Sequence, residues 1–230
     1  MQDNDMQRLR SEWPLVALAA GFVLLVCVAQ VLSDRFGGWV FMRTNYSAGA
    51  WWQLWTSQWV HFGEYHAALN AASLVLMLWA MRGLVAGALQ LGALLGGYVG
   101  VAMVLALDPA CTYYAGASGA LHGFWAGNAV ALIVWPLDQC DRRSAWRWLG
   151  GLMLGAMLVK FWSQQLDGNG AYSLQVFESQ VGHFVGPQFP VYDSAHFAGA
   201  AGGMAAVLLY GLCRRPVVSV TTQSPAGEKQ

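Results

Sequence analysis

From Trp13 to Leu32 the chain carries no charged side chain, and five later apolar windows follow at His66 to Met81, Leu84 to Leu107, Ser118 to Leu137, Trp146 to Trp162 and Ala195 to Leu212. A helix of about 20 apolar residues is what crossing a hydrocarbon core of about 30 Å requires. Six such windows in 230 residues leave little chain for a soluble domain, and a composition of 57% hydrophobic against 10% charged residues agrees. The expected fold is therefore an all-α membrane protein, a six-transmembrane-helix bundle over residues 13–213. Residues 1–12 form a short N-terminal segment, and residues 214–230 read as a disordered tail. The first window is too long for the apolar stretch of a signal peptide. Ser33-Asp34-Arg35-Phe36 after it lacks a small-residue cleavage pattern, so a retained helix is expected.

Lys/Arg placement orients the bundle. Arg8, Arg10, Arg82, Arg142, Arg143, Arg147, Arg214, Arg215 and Lys229 fall on one side, while Arg35 and Arg43, with Lys160 near a helix end, fall on the other. Positive loops resist translocation, so both termini are expected in the cytoplasm and the opposite face in the periplasm of an inner membrane. Formal net charge is zero, which gives no basic field for nucleic acid. The cysteines at 27, 111, 140 and 213 form no CxxC pair and suggest neither a disulfide framework nor a zinc site.

Two outward segments are long enough to hold structure. Ser33 to Tyr65 contains Trp39, Trp51, Trp52, Trp55 and Trp59 and is expected to lie in the membrane interface as short helices. Ser163 to Ser194, with its glycines and prolines, reads as an irregular periplasmic loop, for which a lid role is open.

Polar groups inside spanning helices are costly, so those present are candidate functional residues. The second, fourth and sixth helices all begin on the periplasmic side, with His66 and Asn70, Ser118, and His196 respectively. Ser118 lies in Gly116-Ala117-Ser118-Gly119, where small neighbours leave the hydroxyl accessible at a helix N-terminus whose free N–H groups favour an oxyanion. The same four residues also suit a plain packing patch. His196 is followed by Gly199 and Gly203 on one helix face, and the fourth helix carries a matching Gly119, Gly123, Gly127 stripe. Close approach of those faces would bring a neutral imidazole to Ser118 as general base. His66 and Asn70, at i and i+4, could donate to the oxyanion or serve only in helix packing.

Lesser candidates surround these. His122 faces the same way as Ser118, and either packs beside His196 or is a satisfied core histidine. Asp193 either orients His196 or caps its helix. His61 and His183 lie in loops and are expected to face water. All five histidines fall on the periplasmic half, which leaves a metal site conceivable, but no HExxH spacing exists and neither metal nor cofactor is expected.

With these residues in place, the chain resembles the rhomboid intramembrane serine proteases over about Trp13 to Leu212. Four motifs carry the likeness: Trp51-Trp52-Gln53-Leu54-Trp55-Thr56; His61-Phe62 with His66-Ala-Ala-Leu-Asn70; Gly116-Ala-Ser118-Gly119; and Ala195-His196-Phe-Ala-Gly199-Ala-Ala-Gly-Gly203. The resemblance implies Ser118 as nucleophile, His196 as base, and His66, Asn70 and the Ser118 N–H as oxyanion hole, with Gly116, Gly119, His122, Gly199 and Gly203 in support. Two departures stand out. Many rhomboids have Trp-Arg where this chain has Trp52-Gln53, and often tyrosine where it has His122. Ser118-Gly-Ala-Leu-His122-Gly123 and Val191-Tyr-Asp-Ser-Ala-His196 look like the rhombosortase branch, which implies transmembrane substrates with C-terminal Gly-Gly-type tails. The alternatives are a general rhomboid protease with other substrates, a non-catalytic rhomboid-like membrane chaperone and, from another class, a metal-binding transporter. Membrane lipid is the expected surrounding, no nucleic acid is expected, and an accessory protein is left open.

Overall fold

The structure, a computed structural model, describes residues 17–30, 32, 38–135, 143–166 and 192–213. Among these, six long helices occur in the order α1 (Ala17–Gln30), α4 (Glu64–Met81), α5 (Gly87–Leu107), α6 (Ser118–Val134), α7 (Arg143–Leu166) and α8 (Asp193–Cys213). Two short helices, α2 (Arg43–Ser47) and α3 (Gln53–Thr56), lie between α1 and α4. By length and hydropathy α5 and α8 are long and apolar enough to cross a membrane, while α1 and α6 are shorter apolar helices. The expected tail and most of the expected Ser163 to Ser194 loop, His183 included, lie outside the described residues.

The mostly helical expectation holds, with one addition. A two-residue strand β1 (Phe41–Met42) pairs antiparallel with β2 (Tyr113–Tyr114), matching Phe41 to Tyr114 and Met42 to Tyr113. Aromatic residues in an extended stretch favour such pairing. The sequence pattern concealed it because two residues carry no period.

The centre of the bundle is the trio α5, α6 and α8, held together by absent side chains. A Cβ on Gly199 would lie 2.0 Å from the carbonyl oxygen of Gly119, and one on Gly203 2.1 Å from that of Gly123. On the adjacent face of α8, about 100° round the helix, Gly202 meets Gly96, and Gly100 meets Ala198, at 2.2 and 2.1 Å by the same measure. Each α6–α8 contact steps by four residues along both helices, which is the small-residue packing that lets backbones touch. The α6–α8 stripe was legible from the sequence; the second stripe, between α5 and α8, was not singled out there.

Helix ends in an apolar setting need partners for their last carbonyls. Buried Gln90 donates its amide to the carbonyls of Val85, at 2.9 Å, and Met81, at 3.3 Å, holding the turn between α4 and α5 to the last residue of α4. Arg43 ties the end of α5 to the segment after it, donating to Leu105 within the helix (2.6 Å) and to Asp108 (2.5 Å) and Cys111 (3.1 Å) beyond it.

Candidate active site

The segment just before α6 is braced from the first loop. Gly116 N–H donates to the Ser57 carbonyl at 2.9 Å, Ala117 N–H donates to His61 Nε2 at 3.4 Å, and the β1–β2 pair holds Tyr113 and Tyr114. Two buried glutamines tie that loop down. Gln53 donates to Gly38 O at 2.9 Å and accepts from Met42 N–H at 3.1 Å, while Gln58 donates to Leu54 O and Tyr98 O. Gln53 thus has its own bonds at the position where the resemblance would place an arginine, and among the described residues the guanidinium in this loop is that of Arg43.

Three of the loop tryptophans, Trp51, Trp52 and Trp55, expose large surfaces. Trp59 instead turns inward and stacks on Tyr98 at 4.8 Å.

Ser118 is the first residue of α6, so its N–H is among those without an intrahelical acceptor. Its Oγ lies 3.0 Å from His196 Nε2, and His196 is buried. For Nε2 to accept the hydroxyl proton, the ring N–H must sit on Nδ1. Nδ1 has no hydrogen-bond partner, and the nearest carboxylate oxygen, on Asp193, is 3.9 Å away. That is beyond hydrogen-bond distance. Of the two roles open to Asp193, neither is realised as a hydrogen bond to His196 or a preceding cap, since Asp193 is itself the first residue of α8.

His122 occupies the space beside this pair. Its ring stacks on His196 with centroids 4.2 Å apart and planes 22° from parallel, so an imidazole fills the position where the resemblance pointed to tyrosine. Its Nδ1 lies 2.7 Å from the Ser118 carbonyl oxygen, and its Nε2 lies 2.5 Å from Lys160 Nζ. It thus packs beside His196, and both of its ring nitrogens have partners, so the two readings of this histidine meet in one side chain.

His66 and Asn70 approach from α4. The His66 ring packs against Gly116, where φ is +129° and an added Cβ would fall 2.8 Å from His66 Cε1. Only glycine suits both the backbone angle and the space. Asn70 lines the same cleft as Ser118, and its Nδ2 is buried without a partner, as is His66 Nδ1. A buried unpaired polar group costs about 1–3 kcal/mol, so Asn70 Nδ2 in the cleft and His66 Nδ1 in the ring packed against Gly116 form an arrangement that stability alone does not favour.

The cleft measures about 320 Å³ and is lined by Asn70, Ser73, Ser118, His122, Trp125 and Lys160 among others. An apolar hollow of about 170 Å³ shares Met77 and Trp125 with it and runs on between α4, α6 and α7. Among the described residues no three metal-ligating side chains gather.

One expectation is corrected. His61 does not face water; it is buried, with its ring 4.9 Å from that of His66. Burial, and then the nearby His66, push its pKa down to about 3, so it stays neutral and free to accept from Ala117. Its loop position suggested solvent, but the loop folds back over α4. Lys160 entered the sequence reading only as a topological charge. The signal that could have found it is an ionisable residue within an apolar window.

A family model described as a Rhomboid domain matches residues 48–213. No curated protein and no solved structure matches the chain.

Proposed function

Because the chain belongs to the rhomboid family, whose members are integral membrane proteins and generally intramembrane serine proteases, we propose that it is an intramembrane serine endopeptidase using Ser118 and His196. The observation that carries this reading is the 3.0 Å contact between Ser118 Oγ and His196 Nε2 at the wall of a cleft. In the reaction, His196 Nε2 takes the Ser118 proton as Oγ attacks the scissile carbonyl, then returns it to the departing amine. Water next attacks the acyl-serine and releases the new carboxylate. The developing oxyanion is met by the Ser118 N–H, Asn70 Nδ2 and His66, donors fixed before substrate arrives and so requiring no reorganisation.

The proposal extends to six spans with both termini in the cytoplasm of an inner membrane and the cleft opening toward the periplasm. The Lys/Arg distribution supports it. A substrate helix enters sideways, unwinds near the outer boundary and presents an extended peptide to Ser118. Unwinding in lipid exposes backbone, so segments rich in glycine, a poor helix former, are cut preferentially. The substrates assigned are exported proteins with C-terminal Gly-Gly-type transmembrane tails. Support for that choice is the rhombosortase-like stretch from Ser118 to Gly123, with His122 stacked on His196.

The test is labelling by an activity-based fluorophosphonate in wild type, Ser118→Ala and His196→Ala, together with cleavage of a co-expressed Gly-Gly-tailed protein. Label on wild type alone, and cleavage lost in both variants with membrane insertion intact, is the expected result. Cleavage that persists in Ser118→Ala overturns the mechanism. A labelled wild type that leaves Gly-Gly tails uncut but cleaves another membrane segment overturns the substrate assignment.

A further inference from the structure

We propose that Lys160 is a positioning residue for the Ser118–His196 pair, acting through the imidazole of His122. The inference rests on the reading of Ser118 as nucleophile and His196 as base. Lys160 is carried by α7, the helix that closes one side of the cleft, and it lines that cleft together with Ser118 and His122. A lysine in an apolar helix is costly, so its placement calls for a partner.

The partner is His122. An ammonium offers N–H donors and no lone pair, so at the 2.5 Å contact Lys160 Nζ donates and His122 Nε2 accepts. That leaves the ring proton on Nδ1, where it donates to the Ser118 carbonyl oxygen 2.7 Å away. Both ring nitrogens are then engaged, and the imidazole cannot turn without losing two hydrogen bonds.

What this fixes is His196. Its Nε2 faces Ser118, but its Nδ1 has no hydrogen-bond partner to set the ring plane, and Asp193 is too far away at 3.9 Å to supply one. The flat contact with His122, centroids 4.2 Å apart, is what remains to orient it. Phe161, one residue after Lys160, stacks on His122 as well, at 5.7 Å. The chain of contacts therefore runs from Lys160 to the tautomer and plane of His122, then to the plane of His196 and the backbone of Ser118. In a site with a hydrogen-bonded carboxylate, that group would orient the base; here a lysine does so through a second histidine.

The experiment is a double-mutant cycle on the full-length protein, reading the second-order rate of Ser118 labelling by a fluorophosphonate. The reagent needs no substrate helix, so a Lys160 that merely touched substrate would leave the rate unchanged. The proteins are wild type, Lys160→Met, Lys160→Arg, His122→Phe and the Lys160→Met/His122→Phe pair, each checked for thermal unfolding. Expected are a slowing on the order of 10-fold in Lys160→Met, less than the ~100-fold that a 1 Å misplacement can cost, and substantial recovery in Lys160→Arg, whose guanidinium can donate to the same nitrogen. In the His122→Phe background Lys160→Met should change nothing further, because the two act as one unit. Wild-type labelling by Lys160→Met, or effects of the two substitutions that simply multiply, overturns the proposal while leaving Ser118 as nucleophile. A wild type unlabelled at Ser118 overturns both. Should Lys160→Met not fold, Lys160→Gln takes its place in the same cycle.

Discussion

The backbone of Gly199 runs so close to Gly119 that a Cβ added to Gly199 would sit 2.0 Å from the Gly119 carbonyl oxygen. The residues before and three before this contact are Ser118 and His196, so the same approach that packs α8 on α6 sets the Ser–His distance. Because the obstacle is backbone, the helices themselves must part. Gly199→Ala is expected to lower stability by about 1–3 kcal/mol and to reduce fluorophosphonate labelling more than its loss of stability accounts for. Gly151→Ala and Gly155→Ala, where a Cβ meets nothing within 4 Å, should leave both unchanged. Thermal unfolding in detergent and labelling rates measure the two effects.

Asn70 holds a buried, unpartnered Nδ2 at the cleft. Removing it relieves an orphan donor and also removes the donor assigned to the oxyanion. Asn70→Ala is therefore expected to cost on the order of 100-fold in acylation rate while keeping the melting temperature at or near that of wild type. A large fall in stability together with an unchanged rate would make Asn70 a structural residue.

Asp193 is 3.9 Å from His196 Nδ1, close enough for its field to be felt and too far for a hydrogen bond. Asp193→Asn should thus slow labelling by less than about 10-fold, against the ~10,000-fold loss known where a carboxylate holds the histidine tautomer directly. Rates measured on the purified variant decide between these.

Arg43 donates to the carbonyls of Leu105, Asp108 and Cys111 at the end of α5 and sits over the Phe41 ring at 4.9 Å. A lysine has no fork to reach several carbonyls at once. Arg43→Ala is expected to destabilise by about 2–3 kcal/mol, Arg43→Lys by nearly as much, and both should be visible in chemical or thermal unfolding.

His61 has a pKa lowered to about 3 by burial and the neighbouring His66, against 6.5 when unfolded. The unfolded chain therefore binds this proton more readily, so the contribution of His61 to stability is full above about pH 6.5 and is lost as pH falls toward 3. Melting temperature should drop over that interval. In His61→Gln, which keeps an acceptor for the Ala117 N–H but cannot take up the proton, the drop should be shallower. Equal slopes in the two proteins would assign the acid sensitivity to other groups.

Helix positions were legible in the sequence because apolar windows and small-residue spacing are local patterns. Expected windows and observed helices agree to within a few residues where they are described: His66 to Met81 against Glu64–Met81, and Ala195 to Leu212 against Asp193–Cys213. The geometry of Ser118 and His196 was legible for the same reason, since each opens a helix and each is followed by glycines at helical spacing. The burial of His61 was not, because whether a loop residue meets solvent depends on what folds over it.

What the sequence by itself determined, then, is which residues lie on which helix and which helix faces are small enough to touch. The tertiary structure alone decided rotation and height of one helix against another. Period 3.6 assigns a side chain to a face but says nothing of the axial register between helices. Ser118 and His196 share an end and a glycine face, so their meeting needed little more than contact. Lys160 and His122 are 38 residues apart, on helices joined by an undescribed segment, and their 2.5 Å contact depends on how α7 is turned and raised against α6. Packing settles that, through Gly150 against the Ala129 carbonyl and the Trp125 indole donating to Met153.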